Sequence, residues 1–368
     1  MNHEDDYCQI RGSSFRDPCH YARVARYLAE LRAEGGSKIV AVVSAMSGMT
    51  DELKSTVLGV NREATPSNLD ATLAIGEMLS ACLLEAAVSR LGIPVTSLNG
   101  YVLGIRTNSD FGRASVESVD PQPIRAALQE HDIVVVAGGQ AVDQSGRLTF
   151  LGRNSSDLTA VVIAAMLGGQ VCEIYSDVKG VYTADPHLVP GARLIPKIGY
   201  GTIAQMSRQG AKVLHHRAVD YANKHAVTIV CKALTNNGAA TGTVITGHEY
   251  SRSVTVARDT AVLAVASVAE RDALCVFLDQ HDISSICFEE DGRPCLCIIT
   301  DIDFAMRLVE TGGTRAVAIG SKVVVTELNG AMSRVHLHVD YESAMAHAQN
   351  IHEQMHPAAI GDLVIEND

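Results

Sequence analysis

Hydrophobic and polar positions in the first two thirds of the chain alternate between continuous apolar runs and stretches with helical spacing. The continuous runs are Ile39–Val43, Asp132–Ala137 and Val171–Ser176, and such runs are typical of strands buried on both faces. Helical patterns cover Leu69–Leu91 and Asp157–Leu167, and each is followed by glycine. This alternation predicts a doubly wound α/β sheet, in which ligands bind beyond the carboxyl ends of the strands.

Beyond about residue 250 the predicted elements become shorter and follow a βαββαβ order. They are Val262–Ser267, Glu270–Gln280, Ser284–Glu289, Pro294–Thr300, Phe304–Glu310 and Arg315–Ile319. A partial second copy follows, with strands Lys322–Leu328, Ser333–Val339 and Asp362–Ile365 and a helix Tyr341–Glu353. We therefore predict two domains, residues 1–248 and 249–368, with a turn at Gly238–Thr243 near their boundary.

Composition narrows the classes of protein and of partner. Hydrophobic residues make up 47% of the chain and Trp is absent, so the core must consist mainly of aliphatic side chains. Such cores are typical of parallel sheets covered by helices. The formal net charge of −12 disfavours nucleic acid or a membrane as a partner. The acidic start lacks the features of a signal peptide, and the nine cysteines show no Cys-x-x-Cys spacing. We expect a cytoplasmic protein and assign no metal-ligating residues.

Two polar turns carry the strongest chemical signal. Leu151–Ala160 places Arg153, Ser156 and Asp157 on a turn that opens a helix, and Tyr175–Pro186 follows the next strand. Backbone N–H groups at a helix start favour anions, and an Arg with an Asp can hold both ends of an amino acid. The pattern indicates an amino acid and a phosphorylated cofactor that meet on one sheet.

Six segments in order resemble the aspartate kinases of the amino-acid-kinase fold: Ser44–Leu53, Gly76–Ser80, Gly104–Thr107, Leu151–Ala160, Tyr175–Pro186 and Gly210–His215. The similarity runs over about residues 8–246, and the tail occupies the position of that family's paired ACT regulatory modules. Carbamate, acetylglutamate, glutamate and uridylate kinases are less similar in the first two segments. The resemblance implies an open sheet sandwiched by helices, followed by an α+β, ACT-like region.

The resemblance also implies a reaction, in which the γ-phosphoryl group of ATP moves to the β-carboxylate of L-aspartate or a close analogue. The acyl phosphate formed would serve amino acid biosynthesis, with ATP and Mg²⁺ as cofactors. A carboxylate is already a competent nucleophile, so catalysis rests on positioning and charge neutralisation. By the same resemblance we expect a homodimer or a higher homo-oligomer, assembled through the C-terminal modules.

Site residues follow from the matched motifs. Arg153 would bind the substrate α-carboxylate and Glu77 its ammonium group, while Ser44, Thr50, Ser156 and Asp157 would complete the pocket. The alternatives are a solvated helix residue for Glu77 and a local helix-capping salt bridge between Arg153 and Asp157.

On the nucleotide side, the resemblance implies a further set of five residues: Ser176, Asp177, Tyr182, Asp185 and Lys212. Here too, three of the five have an ordinary alternative. Tyr182 would be a core residue, Lys212 a surface lysine, and Asp177 a turn residue that hydrogen-bonds its own backbone.

The chain departs from the family around the phosphates. Family members begin with Lys-Phe-Gly-Gly-Thr-Ser, whereas the aligned run here is Gln9–Ser14, so Gln9 replaces the lysine that reaches the transferred group. Loss of such a charge costs on the order of 10²–10³ in rate. Arg11 lies two residues on and is the candidate substitute, so we assign catalytic roles to Gln9, Arg11, Asp157 and Lys212. In addition, Asn154-Ser155 replace a Gly-Gly pair and His187 replaces an Arg.

Three functions stay open at this point. The first is an aspartate-kinase-like enzyme. The second is a homologue of low activity that binds an amino acid as a sensor or as a partner subunit. The third is a structural scaffold, which we disfavour because structure alone does not require Arg153, Glu77 and Thr50 together.

Overall fold

The computed structural model describes residues 5–211, 213–235, 238–312, 315–330 and 332–357. Lys212 and the predicted strand Asp362–Ile365 lie outside these residues. The chain divides into two compact units. The first comprises Met1–Val181, Pro196–Ala204 and Leu214–His248; the second comprises Tyr182–Ile195, Gln205–Val213 and Glu249–Asp368.

The first unit contains twelve labelled strands and the helices that cover them. The strands are β1 (Asp6–Ile10), β2 (Ile39–Val43), β3 (Val95–Leu98), β4 (Ile105–Thr107), β5 (Val116–Val119), β6 (Ile133–Ala137), β7 (Gln140–Asp143), β8 (Leu148–Phe150), β9 (Val171–Ser176), β10 (Lys197–Ile198), β11 (Thr228–Thr235) and β12 (Gly238–Ile245). The helices are α1 (Cys19–Gly35), α2 (Met49–Val60), α3 (Pro66–Ser89), α4 (Gln122–Glu130), α5 (Ser156–Leu167), α6 (Tyr200–Arg208) and α7 (His216–His225), with one 3-10 turn at Gly12–Ser14. Residues of α6 from 205 onward belong to the second unit.

An eight-stranded sheet forms the centre of the first unit, in the order β10-β12-β11-β9-β1-β2-β6-β3. The strands from β11 to β3 run parallel, and β12 pairs antiparallel with β11. The predicted α/β sheet is confirmed, and two of its strands, Ile39–Val43 and Val171–Ser176, have the predicted bounds. Their side chains are mostly buried, as continuous apolar runs require.

The turn predicted at Gly238–Thr243 is wrong, because these residues form most of β12. A run of small residues is typical of a turn, but here at least one of them is small because other segments pack closely against it. A side chain at Gly242 would overlap the backbone carbonyl oxygens of Lys179 and Cys231. Glycine is therefore needed at this position so that two other segments can approach the strand.

A smaller four-stranded sheet, in the order β5-β4-β7-β8, also belongs to the first unit and was not predicted. A buried carboxylate on α3 connects to it. Asp70 Oδ2 accepts hydrogen bonds from the backbone N–H groups of Gly112 (2.9 Å) and Phe150 (2.8 Å). These charge-assisted bonds fix the small sheet against the long helix.

Helix α3 begins three residues before its predicted start. Thr65 caps it by accepting a hydrogen bond from Asn68 N, and Pro66 occupies the first turn. Among the described residues it is the one helix long and apolar enough to cross a membrane, with a hydropathy of 1.6. However, it carries the buried carboxylates of Asp70 and Glu77 and packs against α1, α2 and the strands β3 and β6. We therefore interpret it as a core helix of the first unit.

The second unit contains two small α/β layers. Its elements are β13 (Arg252–Ala257), β14 (Ala261–Ala264), α8 (Val268–Gln280), β15 (Ser285–Glu290), β16 (Arg293–Ile298), α9 (Ile302–Thr311), β17 (Val317–Gly320), β18 (Val323–Asn329), β19 (Met332–His338) and α10 (Tyr341–Met355). The segment from β14 to β17 confirms the βαββαβ order, and its strands pair as β15-β16-β14-β17.

The second copy is nested around the first. Its sheet has the order β13-β18-β19, so one strand comes before the whole first copy and two strands come after it. The sequence pattern did not predict β13. It pairs with β18 in the register Arg252↔Asn329 to Ala257↔Val324, a long-range pairing that the local sequence does not indicate.

Candidate active site

Gln9 is the last but one residue of β1, in the middle of the large sheet. It is fully buried, and its Nε2 donates a hydrogen bond to Ser44 Oγ at 3.0 Å. Its Oε1 is buried with no hydrogen-bond partner among the described residues. Ser44 directly follows β2, and its backbone N–H donates to Ile10 O at 3.2 Å. The position aligned with the family's lysine thus holds a neutral amide that connects the ends of two parallel strands.

The turn after β1 presses closely on the loop after β2. A side chain at Gly12 would overlap the carbonyl oxygen of Ala45, so only glycine permits this approach. On the other side of Ala45 lies α3, where a Cβ at Gly76 would be 2.9 Å from Ala45 Cβ. The two glycines explain how polar groups from β1, β2 and α3 gather in one place.

Arg11, the first residue after β1, forms an ion pair with Asp157 in the first turn of α5. Arg11 Nη2 lies 2.5 Å from Asp157 Oδ2, and Nε lies 3.4 Å from Oδ1. Burial lowers the pKa of the guanidinium, but the adjacent carboxylate outweighs it and the net pKa is raised. Asp157 also accepts a hydrogen bond from the backbone N–H of His215 at 3.2 Å. A guanidinium has five N–H donors, so Arg11 keeps donors beyond those that Asp157 uses.

The first residue of α5 is held against the end of β6. Ser156 is buried, and a Cβ at Gly138 would lie 2.6 Å from both Ser156 Cβ and Oγ. The backbone N–H of Gly139 donates to Thr159 Oγ1 at 2.9 Å. The start of α5, where N–H groups favour anions, therefore lies at the carboxyl end of the sheet.

Glu77 is buried on α3, with 4% of its surface exposed. Its Oε1 accepts a hydrogen bond from Ala45 N at 3.3 Å, and its Oε2 has no partner among the described residues. Burial raises the pKa of this carboxyl to about 7, although the Ala45 hydrogen bond lowers it. The solvated alternative for Glu77 is therefore wrong. A desolvated carboxylate with a free oxygen is a strong acceptor for a cation.

Arg153 extends from the loop before α5 towards the first turn of α2. Its side chain is 68% exposed, and its Nη2 lies 3.3 Å from Asp51 Oδ1. The proposed capping salt bridge between Arg153 and Asp157 is wrong, because Asp157 pairs with Arg11 instead. Thr50 is half-buried next to Asp51 in α2. Arg153 thus reaches the first turn of α2, which contains Thr50, and it has a weak, exposed partner that another carboxylate can replace.

The first two predicted nucleotide residues are the last residue of β9 and the residue that follows it. Ser176 Oγ donates to the carbonyl of Val178 at 3.0 Å and accepts from its N–H at 3.3 Å. Asp177 is exposed, and its nearest cation is Arg16, with Nη2 at 3.9 Å from Oδ2. Ser176 shapes the turn, and the carboxylate of Asp177 faces solvent.

The other predicted nucleotide residues lie elsewhere in the chain. Tyr182 and Asp185 belong to the second unit, and Lys212 lies outside the described residues. Tyr182 is half-buried and forms an isolated β-bridge with Leu194. Asp185 is exposed, and its Oδ1 accepts from His187 N at 2.9 Å. The carboxylate of Asp185 therefore hydrogen-bonds within its own turn.

Sequence analysis missed three groups at the site: the N–H of Ala45, the N–H of His215 and the carboxylate of Asp51. The first two are main-chain N–H groups, which every residue except proline has. The residue types in the sequence therefore do not indicate which N–H groups lie at the site. Asp51 and His215 do lie within the matched segments Ser44–Leu53 and Gly210–His215, which was the available clue.

The fold and site together define an α/β domain with buried and half-buried charged side chains near the carboxyl ends of parallel strands. A family model, the amino acid kinase family, matches residues 10–232. The chain belongs to this family.

Relatives with curated names are aspartate kinases. The chain is 41% identical over 218 residues to an aspartokinase of Thermus thermophilus, covering 59% of this chain and 54% of that protein. It is 40% identical over 216 residues to an aspartate kinase of Pseudomonas putida, covering 59% and 52%. The chain spans about half the length of the curated relatives it matches.

Solved structures share the fold. Escherichia coli aspartokinase III, in complex with aspartate and ADP, matches with a TM-score of 0.74 at 19% identity, covering 96% of this chain and 100% of that chain. Aspartate kinase from Synechocystis matches with a TM-score of 0.57 at 24% identity, covering 88% and 60%. At this level of identity the similarity supports the architecture of sheet and C-terminal modules.

Proposed function

We propose that the chain is an aspartate kinase, which transfers the γ-phosphoryl group of ATP to the β-carboxylate of L-aspartate. A carboxylate oxygen forms a bond to the γ-phosphorus as the bond from that phosphorus to the bridging oxygen of ADP breaks. The products are an acyl phosphate and ADP. The relatives at about 41% identity carry this name, and the site contains the groups that such a reaction needs.

One observation carries the proposal: Arg11, Asp157 and Glu77 lie at the carboxyl ends of β1 and β2, each buried or half-buried. Glu77 offers an unpartnered oxygen to the substrate ammonium group. Arg11, oriented by Asp157, offers N–H donors and a fixed positive charge to the γ-phosphoryl group during its transfer. A preorganised charge of this kind is the usual main source of catalysis in phosphoryl transfer.

The remaining roles complete the substrate site. Arg153 exchanges its exposed partner Asp51 for the α-carboxylate of aspartate, with bidentate geometry that Lys cannot provide. Ser44, Thr50 and Ser156 contribute hydroxyl groups around the bound amino acid, and Gln9 holds Ser44 in place. This assignment rests on the resemblance to aspartate kinases, and the hydrogen bond between Gln9 and Ser44 supports the role given to Gln9.

On the nucleotide side, we propose that Ser176, Asp177, Tyr182, Asp185 and Lys212 line the ATP site. Mg²⁺ favours carboxylate and phosphate oxygens, and the exposed carboxylate of Asp177 suits it. Bound there, Mg²⁺ would neutralise charge on the phosphates. We further propose a cytoplasmic enzyme that pairs through its C-terminal modules, as predicted from the sequence.

A hydroxamate assay tests the activity. Purified chain with Mg-ATP, L-aspartate and hydroxylamine should accumulate aspartyl hydroxamate, with glutamate as the matched acceptor control. Asp157→Asn should lower the rate by about 10²-fold or more, because Arg11 loses its orienting partner. Absence of hydroxamate at any enzyme concentration contradicts kinase activity.

A binding homologue without efficient transfer is the second candidate, and Gln9 favours it. A buried neutral amide lies where family members have a lysine, and Arg11 is already neutralised by Asp157. This candidate predicts thermal stabilisation by L-aspartate, lost in Glu77→Gln, with no hydroxamate. Stabilisation together with product formation excludes it.

A further inference from the structure

Three histidines meet in the second unit where β19 packs against α10. His336 and His338 are two residues apart on β19, so their side chains lie on the same face. That face is covered by α10, since Val325, the β18 partner of His336, clusters with Ala344 and Ala348. The pattern His-x-His on a strand, with a third histidine on the covering helix, gathers imidazoles from two different elements.

His347 of α10 is the third histidine, and its ring lies between the other two. Its centroid is 4.5 Å from that of His336 and 5.1 Å from that of His338, and both contacts are edge-on. His338 Nε2 lies 3.1 Å from His347 Nδ1. Two imidazole nitrogens bound to one tetrahedral zinc ion stand about 3.3 Å apart, given Zn–N bonds of about 2.0–2.1 Å. These two nitrogens are therefore already close to a ligand spacing.

Two further nitrogens of the cluster have surroundings compatible with a metal site. Ser343 Oγ lies 3.4 Å from His338 Nδ1, the position from which a neighbour sets the tautomer and leaves Nε2 for a metal. His336 Nε2 is buried and has no hydrogen-bond partner among the described residues. A buried nitrogen of this kind calls for a ligand, an ion or a water.

The surroundings lower the pKa of two of these imidazoles, and the neutral form is the one that binds metals. Burial lowers the pKa of His336 and of His338, and the neighbouring His347 lowers both further. Glu327 acts on His336 and Asp340 on His338 in the opposite direction, but the net pKa of each stays below its ordinary value.

We propose that His336, His338 and His347 form a site for one divalent transition-metal ion of the zinc type. His338 Nε2 and His347 Nδ1 are the first two ligands, and the ion replaces the hydrogen bond between them. His336 becomes the third ligand by turning about its side-chain bonds, since its nitrogen does not yet lie within a common ligand sphere. A bound ion would join the edge strand β19 to α10.

A second cluster provides the competing explanation for any metal uptake. Ligand atoms of Asp17, Cys19 and His20 lie within 4.8 Å of one another at the start of α1. The thiol of Cys19 is hydrogen-bonded to Asp17, which raises its pKa, and a thiol binds metals as the thiolate. Both Asp17 and Cys19 are exposed and come from a single helical turn. These features make the cluster the weaker site.

Cobalt titration of the full chain, freed of metal by chelation, separates the two clusters. We expect one Co²⁺ per chain with visible d–d bands of nitrogen ligation and without a thiolate charge-transfer band. His338→Gln and His347→Gln should each weaken Zn²⁺ binding in calorimetry by at least about tenfold. Cys19→Ser should leave it unchanged.

A thiolate band, or loss of binding in Cys19→Ser, would assign the ion to the α1 cluster and overturn the proposal. Equal affinity in all variants would overturn it as well. Circular dichroism of each variant checks folding. The cobalt spectrum of the unaltered protein decides the ligand type even where a variant fails to fold.

Discussion

Replacing Glu77 with Gln should change how stability depends on pH. Burial raises the pKa of this carboxyl from 4.5 to about 7 in the folded protein, a difference that corresponds to about 3 kcal/mol. The folded state therefore holds the proton more tightly than the unfolded state. Its contribution to stability is full below about pH 4.5 and is lost as the pH rises through about 7.

Gln resembles the protonated carboxyl and does not ionise. Glu77→Gln and the unaltered protein should therefore be similar in stability near pH 4.5. The variant should become more stable by about 3 kcal/mol at about pH 8. Its affinity for an ammonium-bearing ligand should fall at the same time, because the carboxylate is the group that would bind it.

Urea unfolding measures this difference. Midpoints between about pH 5 and pH 8 are converted to free energies with a common m value, and agreement between circular dichroism and tyrosine fluorescence establishes the cooperativity. Glu63→Gln, on the exposed loop before α3, is the matched control and should show no pH-dependent difference. A constant difference between Glu77→Gln and the unaltered protein across this range would refute the reasoning.

Three further outcomes follow from the same geometry. Arg11→Gln should lower kcat in the hydroxamate assay by about 10²–10³-fold, whereas Arg26→Gln on the exposed face of α1 should not; equal rates would show that Arg11 is not the catalytic charge. Adding Gln9→Lys to Arg11→Gln should raise the rate of that variant about tenfold, whereas Gln9→Lys alone should change the rate of the unaltered protein little. Lack of recovery in the double variant would contradict charge replacement at position 9. Gly242→Ala should lower the free energy of unfolding by about 3 kcal/mol or more, because the added Cβ overlaps two carbonyl oxygens. Gly59→Ala, in open space on α2, should raise it by about 0.5–1 kcal/mol; thermal melts that rank the two in the reverse order would contradict this packing.

The elements whose bounds were predicted well are those whose sequence pattern favours one kind of secondary structure. Ile39–Val43 has the predicted bounds because a short, wholly apolar run rich in β-branched residues favours a buried central strand. By contrast, Gly238–Thr243 consists of small residues that suit either a turn or a crowded strand. Only the close approach at Gly242 decides between them.

The sequence indicated candidate site residues but not the ion pairs between them. Arg11, Arg153 and Asp157 were all candidates, but the pairs Arg11–Asp157 and Arg153–Asp51 were not predicted. Arg11 and Asp157 are 146 positions apart, and the ion pair of Arg153 spans 102 positions. Such pairings depend on strand order and loop packing, which a single sequence does not encode locally.

The nesting of the two copies in the second unit determines which segments can be removed from the chain without loss of strand pairing. Ala257, at the end of β13, lies opposite Val324 of β18. The whole βαββαβ copy therefore leaves and re-enters the three-stranded sheet at one point. The copy is inserted in the sequence between β13 and β18, and its two ends connect to these adjacent strands. Truncation at any point before β18 would leave β13 without its neighbour. By contrast, excision between Ala257 and Val324 with a short turn would preserve the β13–β18 pairing.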